Sequence, residues 1–278
     1  MRHHLWAAAV IFGVGLGMTT QTARAEDPFF VLASTTSVDN SGLLGHILPL
    51  FKKASGIEVR VVALGTGQAL DVARRGDADL VLVHDPDAEA KFIEEGHGIN
   101  KREIAWNDFI IVGPAADPAH IKGTHDVVAG FQAIWKANAP FVSRGDKSGT
   151  DALEKRLWKA ADIDITKAGP WFKDIGGGMG AALNTAAAMN GYTLADRGTW
   201  LSFANPQGLT VALEGDTRLL NRYDVIELNP ATHAPAKRDL GKKFADWLVS
   251  AEGQKAIAEY TVAGQKLFHP EADPKPGS

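Results

Sequence analysis

Short runs of Val, Ile and Leu alternate along the chain with segments whose apolar residues recur every three to four positions, and no other feature narrows the fold as much. Parallel strands cannot be joined by tight turns. A strand, a helix and a further strand in succession therefore imply a right-handed βαβ unit in a sheet covered on both faces. Residues 29–33 read as strand, 43–54 as helix, 57–63 as strand, 68–75 as helix and 79–83 as strand, which makes one doubly wound half. The apolar run 109–112 stops at Gly113-Pro114 and a turn-rich stretch, marking a crossing into a second half. There strands are expected at 141–142, 171–175, 192–194 and 209–213, with helices at 150–161 and 179–189. The run YDVIEL at 223–228 reads as a return strand, closed by helices at 239–249 and 251–260. The expectation is an α/β chain of two lobes, each a doubly wound, mostly parallel sheet, with two hinge crossings. Lobe 1 covers 26–111 plus 222–278 and lobe 2 covers 112–221.

Ahead of the first strand, Met-Arg-His-His, an apolar core over 5–18 and the small-residue triplet Ala23-Arg24-Ala25 have the layout of a secretory signal peptide over 1–25. Its core is shorter than the roughly 20 residues a spanning helix needs. The chain has no cysteine, so it forms no disulfide and carries no lipid anchor on an N-terminal thiol. An exported chain without an anchor is retained by an outer membrane, and the expected address is the periplasm. The formal net charge is −4 and falls further once Arg2 and Arg24 leave with the leader, which does not suit nucleic acid or an anionic bilayer.

Four junctions from strand to helix share one chemistry: ASTTSVDNSG at 33–42, GTGQ at 65–68, SRGDKSGTD at 143–151 and GGGMGAALN at 176–184. Each brings hydroxyls or glycines to a helix start, where unpaired N–H groups and the positive dipole end favour an anion. In open α/β sheets such junctions lie where ligands bind. Structural uses compete with this at each place. Asn40 or Ser41 would cap the helix that follows, and Ser148 with Asp151 spells a capping box. Arg144 suits an oxyanion through its planar fork, or is a solvated surface arginine. Gly65-Thr66-Gly67 lacks the ending of a phosphate loop, the histidines show no zinc spacing, and no nucleophile elbow occurs. DADLVLVHDPDAEA lacks the glycine and terminal glutamate of a calcium loop, so Asp85 and Asp87 read as turn formers. Trp106 and Trp200 stay open between core and ligand roles.

Taken in order, STTSVDNSGLL (34–44), GTGQALDVARRGDADLVLVHD (65–85), NDFIIVGP (107–114), SRGDKSGT (143–150), GGGMGAALN (176–184), YTLADRGTW (192–200) and DWLVSAEGQKAI (246–257) form a pattern that resembles, over nearly the whole mature chain, the substrate-binding proteins of tungstate ABC transporters in the periplasmic binding protein superfamily. The resemblance implies a two-lobed binding protein, not an enzyme, without cofactor or protein-bound metal ion. It would capture tungstate or molybdate and deliver it to an ABC permease. By similarity the ligand donors are Thr36, Ser37, Thr66, Arg144, Ser148 and, through backbone around the fourth junction, Met179 and Gly180. Such a dianion carries no proton, so no carboxylate acceptor is expected beside it. Asp151 stands where many relatives carry histidine, which favours its capping use. The competing class is an exported phosphate- or sulfate-ester hydrolase with Ser37 or Ser148 as nucleophile.

Overall fold

A computed structural model of the chain describes residues 27–146, 148–233, 237–271 and 275. The signal peptide expected over 1–25 lies outside the described residues. The first half runs β1 (Phe29–Thr35), α1 (Thr36–Asn40), α2 (Leu43–Ser55), β2 (Glu58–Leu64), α3 (Thr66–Arg74), β3 (Leu80–Val83) and α4 (Pro86–Glu94). β1 pairs in parallel with β2 and β3, and the four residues of β3, Leu-Val-Leu-Val, are all buried because helices cover both faces. Asp85 accepts from Ala88 N and caps α4, with Pro86 next to it. The turn expected there is a helix start.

β4 (Gly98–Pro114) joins the halves. Next come α5 (Val127–Ala137), β5 (Phe141–Ser143), α6 (Gly149–Ala160), β6 (Phe172–Asp174), α7 (Met179–Met189), β7 (Tyr192–Asp196), α8 (Arg197–Ser202) and β8 (Leu209–Leu213). The chain then returns through β9 (Leu220–Leu228), α9 (Arg238–Leu248) and α10 (Ala251–Glu259). β6, β5 and β7 form a second parallel set. β4 runs antiparallel to β9 from Gly98 to Asp108, then antiparallel to β7 from Phe109 and to β8 from Ile111. It changes partners between Asp108 and Phe109, and the Arg197 fork holds both oxygens of Asp108 at 2.6 Å beside that point.

The core divides at the same place. Phe30, Phe51, Phe244 and Trp247 pack on one face of the first sheet, and Leu70, Val81, Phe92 and Ile226 on the other. In the second half Phe131, Phe141, Trp158 and Tyr192 fill one face and Ile110, Met179 and Leu183 the other. Trp158 meets the rings of Phe131 and Phe141 edge-on at 4.3 and 5.1 Å, a geometry worth about 1 kcal/mol per pair beyond the area buried. Trp106 stacks on His269 at 4.1 Å, so it belongs to the packing of the first half. Among the described residues no helix is long and apolar enough to cross a membrane.

Candidate functional site

The four hydroxyls at the end of β1 divide into two pairs. Ser34 is fully buried and donates to Leu82 O at 2.9 Å, which binds it into the sheet. Thr35 is buried too and caps α1, its oxygen accepting from Val38 N at 3.1 Å. Thr36 and Ser37, the first residues of α1, are exposed, and their hydroxyls bond to no group among the described residues. Neither Asn40 nor Ser41 is the cap of α2, contrary to expectation: Gly42 takes that position at φ +80°, and Ser41 Oγ braces the turn by donating to Val38 O and accepting from Leu43 N.

Arg144 follows β5 and is no solvated surface arginine, since its side chain is only 16% exposed. Nε donates to Asp146 Oδ2 at 3.1 Å, Nη2 donates to the same oxygen, and Nη1 donates to Thr150 Oγ1 at 3.1 Å. Three of the five N–H groups are thereby engaged, leaving one on each Nη unbonded among the described residues. Gly145 permits this hairpin: it sits at φ +61°, and a Cβ there would lie 1.6 Å from Asp174 Oδ1. Burial pushes the Asp146 carboxyl up, but its bonds from Ser148 and Arg144 outweigh that and hold it below the usual carboxylate range.

Ser148 caps α6, its oxygen accepting from Asp151 N at 3.3 Å, so half of the expected capping box forms. The other half does not. Ser148 N donates to Asp146 Oδ1, and the Asp151 carboxylate pairs with Lys155 at 2.7 Å. One turn further on, Glu154 is buried, accepts from Trp158 Nε1 at 3.3 Å, and has its carboxyl pushed up to about 8 by burial. The fourth junction is tied to the third by Gly177 N donating to Arg144 O at 2.9 Å. Gly178 caps α7 without a side chain, which leaves the first N–H groups of that helix without a side-chain partner at the cap.

These elements enclose a cavity of about 470 Å³ between the halves. Thr36 and Ser37 line it from the first half, and Arg144, Ser148, Thr150 and Met179 from the second. Five of the residues expected from sequence are therefore brought together. Thr66 lies instead on an adjoining cavity of about 320 Å³, which shares His84, Phe109, Gly149 and Asn221 with the first. Gly180 is inside α7 and does not line either.

Sequence reasoning missed the floor. His84, Asn107, Asn221 and Tyr223 form a hydrogen-bonded group there, and burial pushes the His84 imidazole below its ordinary value, which favours the neutral ring. It also missed a carboxylate. Asp196 lines the cavity, contrary to the all-donor shell expected, with its oxygens accepting from Thr199 N at 2.7 Å and Thr199 Oγ1 at 2.8 Å. The motif YTLADRGTW contains both residues, and an aspartate three positions before a threonine at a strand end is a legible cap signal.

Comparison with known proteins gives a consistent picture. The model of the "PBP superfamily domain" matches residues 18–252. The tungstate-binding protein TupA of Peptoclostridium acidaminophilum is 43% identical over 246 residues, covering 87% of this chain and 85% of that protein. Among solved structures, the tungstate binding protein TupA of Desulfovibrio alaskensis is similar at 42% identity and a TM-score of 0.84, covering 88% of this chain and all of the other. The tungstate ABC transporter structure from Geobacter sulfurreducens matches at 39% identity and a TM-score of 0.71, covering 84% and 98%.

Proposed function

Because the chain belongs to the PBP superfamily and, within it, to the TupA family of tungstate-binding proteins, we propose that it captures tungstate between its two halves for an ABC importer. It is a binding protein and not an enzyme, as its relatives are, and the hydrolase reading is set aside. The observation that carries the assignment of the site is the convergence on one cavity of free hydroxyls from the first half and a guanidinium from the second.

In this reading Thr36, Ser37, Arg144 and Ser148 donate to the oxygens of the anion, with the N-terminal backbone of α7 around Met179 and Gly180 completing the shell. Thr66 joins from the adjoining cavity as the halves close. Donors on both halves make the closed form the one the ligand stabilises, and that difference drives closure. Thr199 engages both oxygens of Asp196 and so orients that carboxylate as the cap of α8. The change of ladder partners between Asp108 and Phe109 and the division of the core support two moving lobes, and because Phe109, Ile110 and Ile111 pack with the second half, the crossing falls a few residues before the 111/112 boundary expected between 26–111 with 222–278 and 112–221. The leader over 1–25 directs export, the mature protein works in the periplasm, and the closed form is read by a membrane permease. Molybdate is the competing ligand, having the same charge and shape.

Calorimetric titration of the mature protein with tungstate, molybdate, sulfate and phosphate tests the reading. Tungstate or molybdate binds far more tightly than phosphate, whose proton would have to share Asp196, a cavity carboxylate already engaged by Thr199. Binding of phosphate as tight as that of tungstate would refute it.

A further inference from the structure

His84 follows β3 directly and stands in the wall between the two cavities. Nδ1 is 3.0 Å from Asn221 Oδ1, and Nε2 is 3.1 Å from Thr35 Oγ1. The bond pattern assigns the proton. Asn221 Nδ2 donates to Asn107 Oδ1 at 2.9 Å and to Tyr223 OH at 2.7 Å, so Asn221 Oδ1 is an acceptor and His84 Nδ1 carries the N–H that meets it. In a neutral ring Nε2 then accepts, and Thr35 donates to it while its oxygen accepts from Val38 N. Every nitrogen of the imidazole is used. Tyr223 lies against the ring with centroids 5.0 Å apart.

The two ends of this chain of bonds matter. At one end Thr35 caps α1, the five-residue helix whose first residues are Thr36 and Ser37. At the other, Asn107 of β4 and Asn221 of β9 are direct partners across the ladder, one rung from the place where β4 changes partners. An apolar side chain would fill the position of His84 without a desolvation cost. What the imidazole adds is a directional tie at both ends.

We infer that His84 is a positioning residue that ties the first donor loop to the crossing strands, so that the placement of Thr36 and Ser37 and the angle between the halves are set together. The inference rests on the anion-capture reading above. It extends that reading to a residue that need not touch the anion.

Two measurements on the full mature protein test it. Nitrogen-15 NMR of the ligand-free wild type gives the His84 tautomer, which is Nδ1–H. Calorimetric titration with tungstate compares wild type, His84→Leu, His84→Gln, Thr35→Val and the Thr35→Val/His84→Leu pair. His84→Leu weakens binding about tenfold or more, the loss expected for a buried bond and its orphaned partner. His84→Gln, which keeps one donor and one acceptor, recovers most of that, and the double variant, which also loses the Thr35 cap on α1, loses less than the sum of the two single losses. An Nε2–H tautomer, wild-type affinity in His84→Leu, or additive losses in the double variant would overturn the tie. If His84→Leu does not fold, the tautomer and the glutamine variant decide. A wild type that ignores tungstate overturns the proposed function instead, and the tautomer still decides the tie.

Discussion

Arg144→Ala separates two effects that the structure places on one guanidinium. The side chain has two N–H groups left for an anion, and losing a charge-assisted fork costs roughly 2–3 kcal/mol, which is about 30- to 150-fold in affinity. The substitution does a second thing. It leaves the Asp146 carboxylate, 20% exposed and bonded to Arg144 in the ligand-free protein, without its counter-charge beside a dianion. At an effective dielectric of about 20, two unit charges about 6 Å apart repel by roughly 3 kcal/mol. Arg144→Ala should therefore lose at least a hundredfold in tungstate affinity. Arg144→Ala with Asp146→Asn should recover about tenfold of that loss, although it carries one more substitution. Calorimetric titration at fixed ionic strength reads both values, and thermal melting of the ligand-free proteins checks that each is folded. Wild-type affinity in the single variant, or a double variant weaker than the single one, would refute the reasoning.

Thr36→Val and Ser37→Ala should each weaken tungstate binding about tenfold with the ligand-free melting temperature unchanged, since neither hydroxyl bonds within the described protein; Thr35→Val should lower stability by about 1 kcal/mol as a lost cap. The Glu154 carboxyl, raised from 4.5 to about 8 by burial, keeps its proton in the folded state while the unfolded chain gives it up. Its stabilising contribution is thus full below pH 4.5 and lost as pH rises through 8, a change on the order of 5 kcal/mol at most, and Glu154→Gln should flatten that slope in denaturant titrations between pH 5 and 8. Gly145→Ala should destabilise the ligand-free protein by more than 1 kcal/mol and weaken binding, because the new Cβ displaces Asp174 and with it the hairpin that aims Arg144; unchanged melting and binding would contradict the placement.

Much of the fold was legible because its strands are buried on both faces. LVLV in β3 and the apolar run of 109–112 carry burial in their composition, and β8 was expected with its observed bounds. The stretch 98–108 was not read as strand. It carries Lys101, Arg102 and Glu103, whose charges are balanced only by residues distant in sequence: Lys101 by Glu89 and Asp224, Arg102 by Glu227 and Asp246. Its ladder with β9 also shifts register twice, which breaks the alternation a strand shows in sequence. α5 was missed as well, since VVAGFQAIWKA holds a glycine and two β-branched residues at its start, although Asp126 before it is a cap.

Of the site, the loops that carry local signals were legible, and the residues whose role depends on a distant partner were not. Thr36, Ser37, Arg144 and Ser148 stand in loops rich in hydroxyls and glycine. Nothing near Arg144 in sequence says that Asp146 turns back onto it. Nothing near His84 says that its partners stand at 35 and 221.

β4 passes from one half to the other in mid-strand, and that alters what kind of joint connects them. A loose loop is a pin joint, which has no preferred angle and resists nothing. A hydrogen-bonded ribbon is a flexure: it has a rest curvature, bends about one axis more easily than about the others, and returns when the load is removed. In the proposed function the load is the bound anion. If the halves close on it, part of what the anion gains from its donors would be held as curvature in β4 and β9, and the ribbon's recoil would help a partner that competes for the donors to unload the cargo. A variant that softened the ribbon without touching the cavity would hold its cargo longer, gaining in affinity what it lost in turnover.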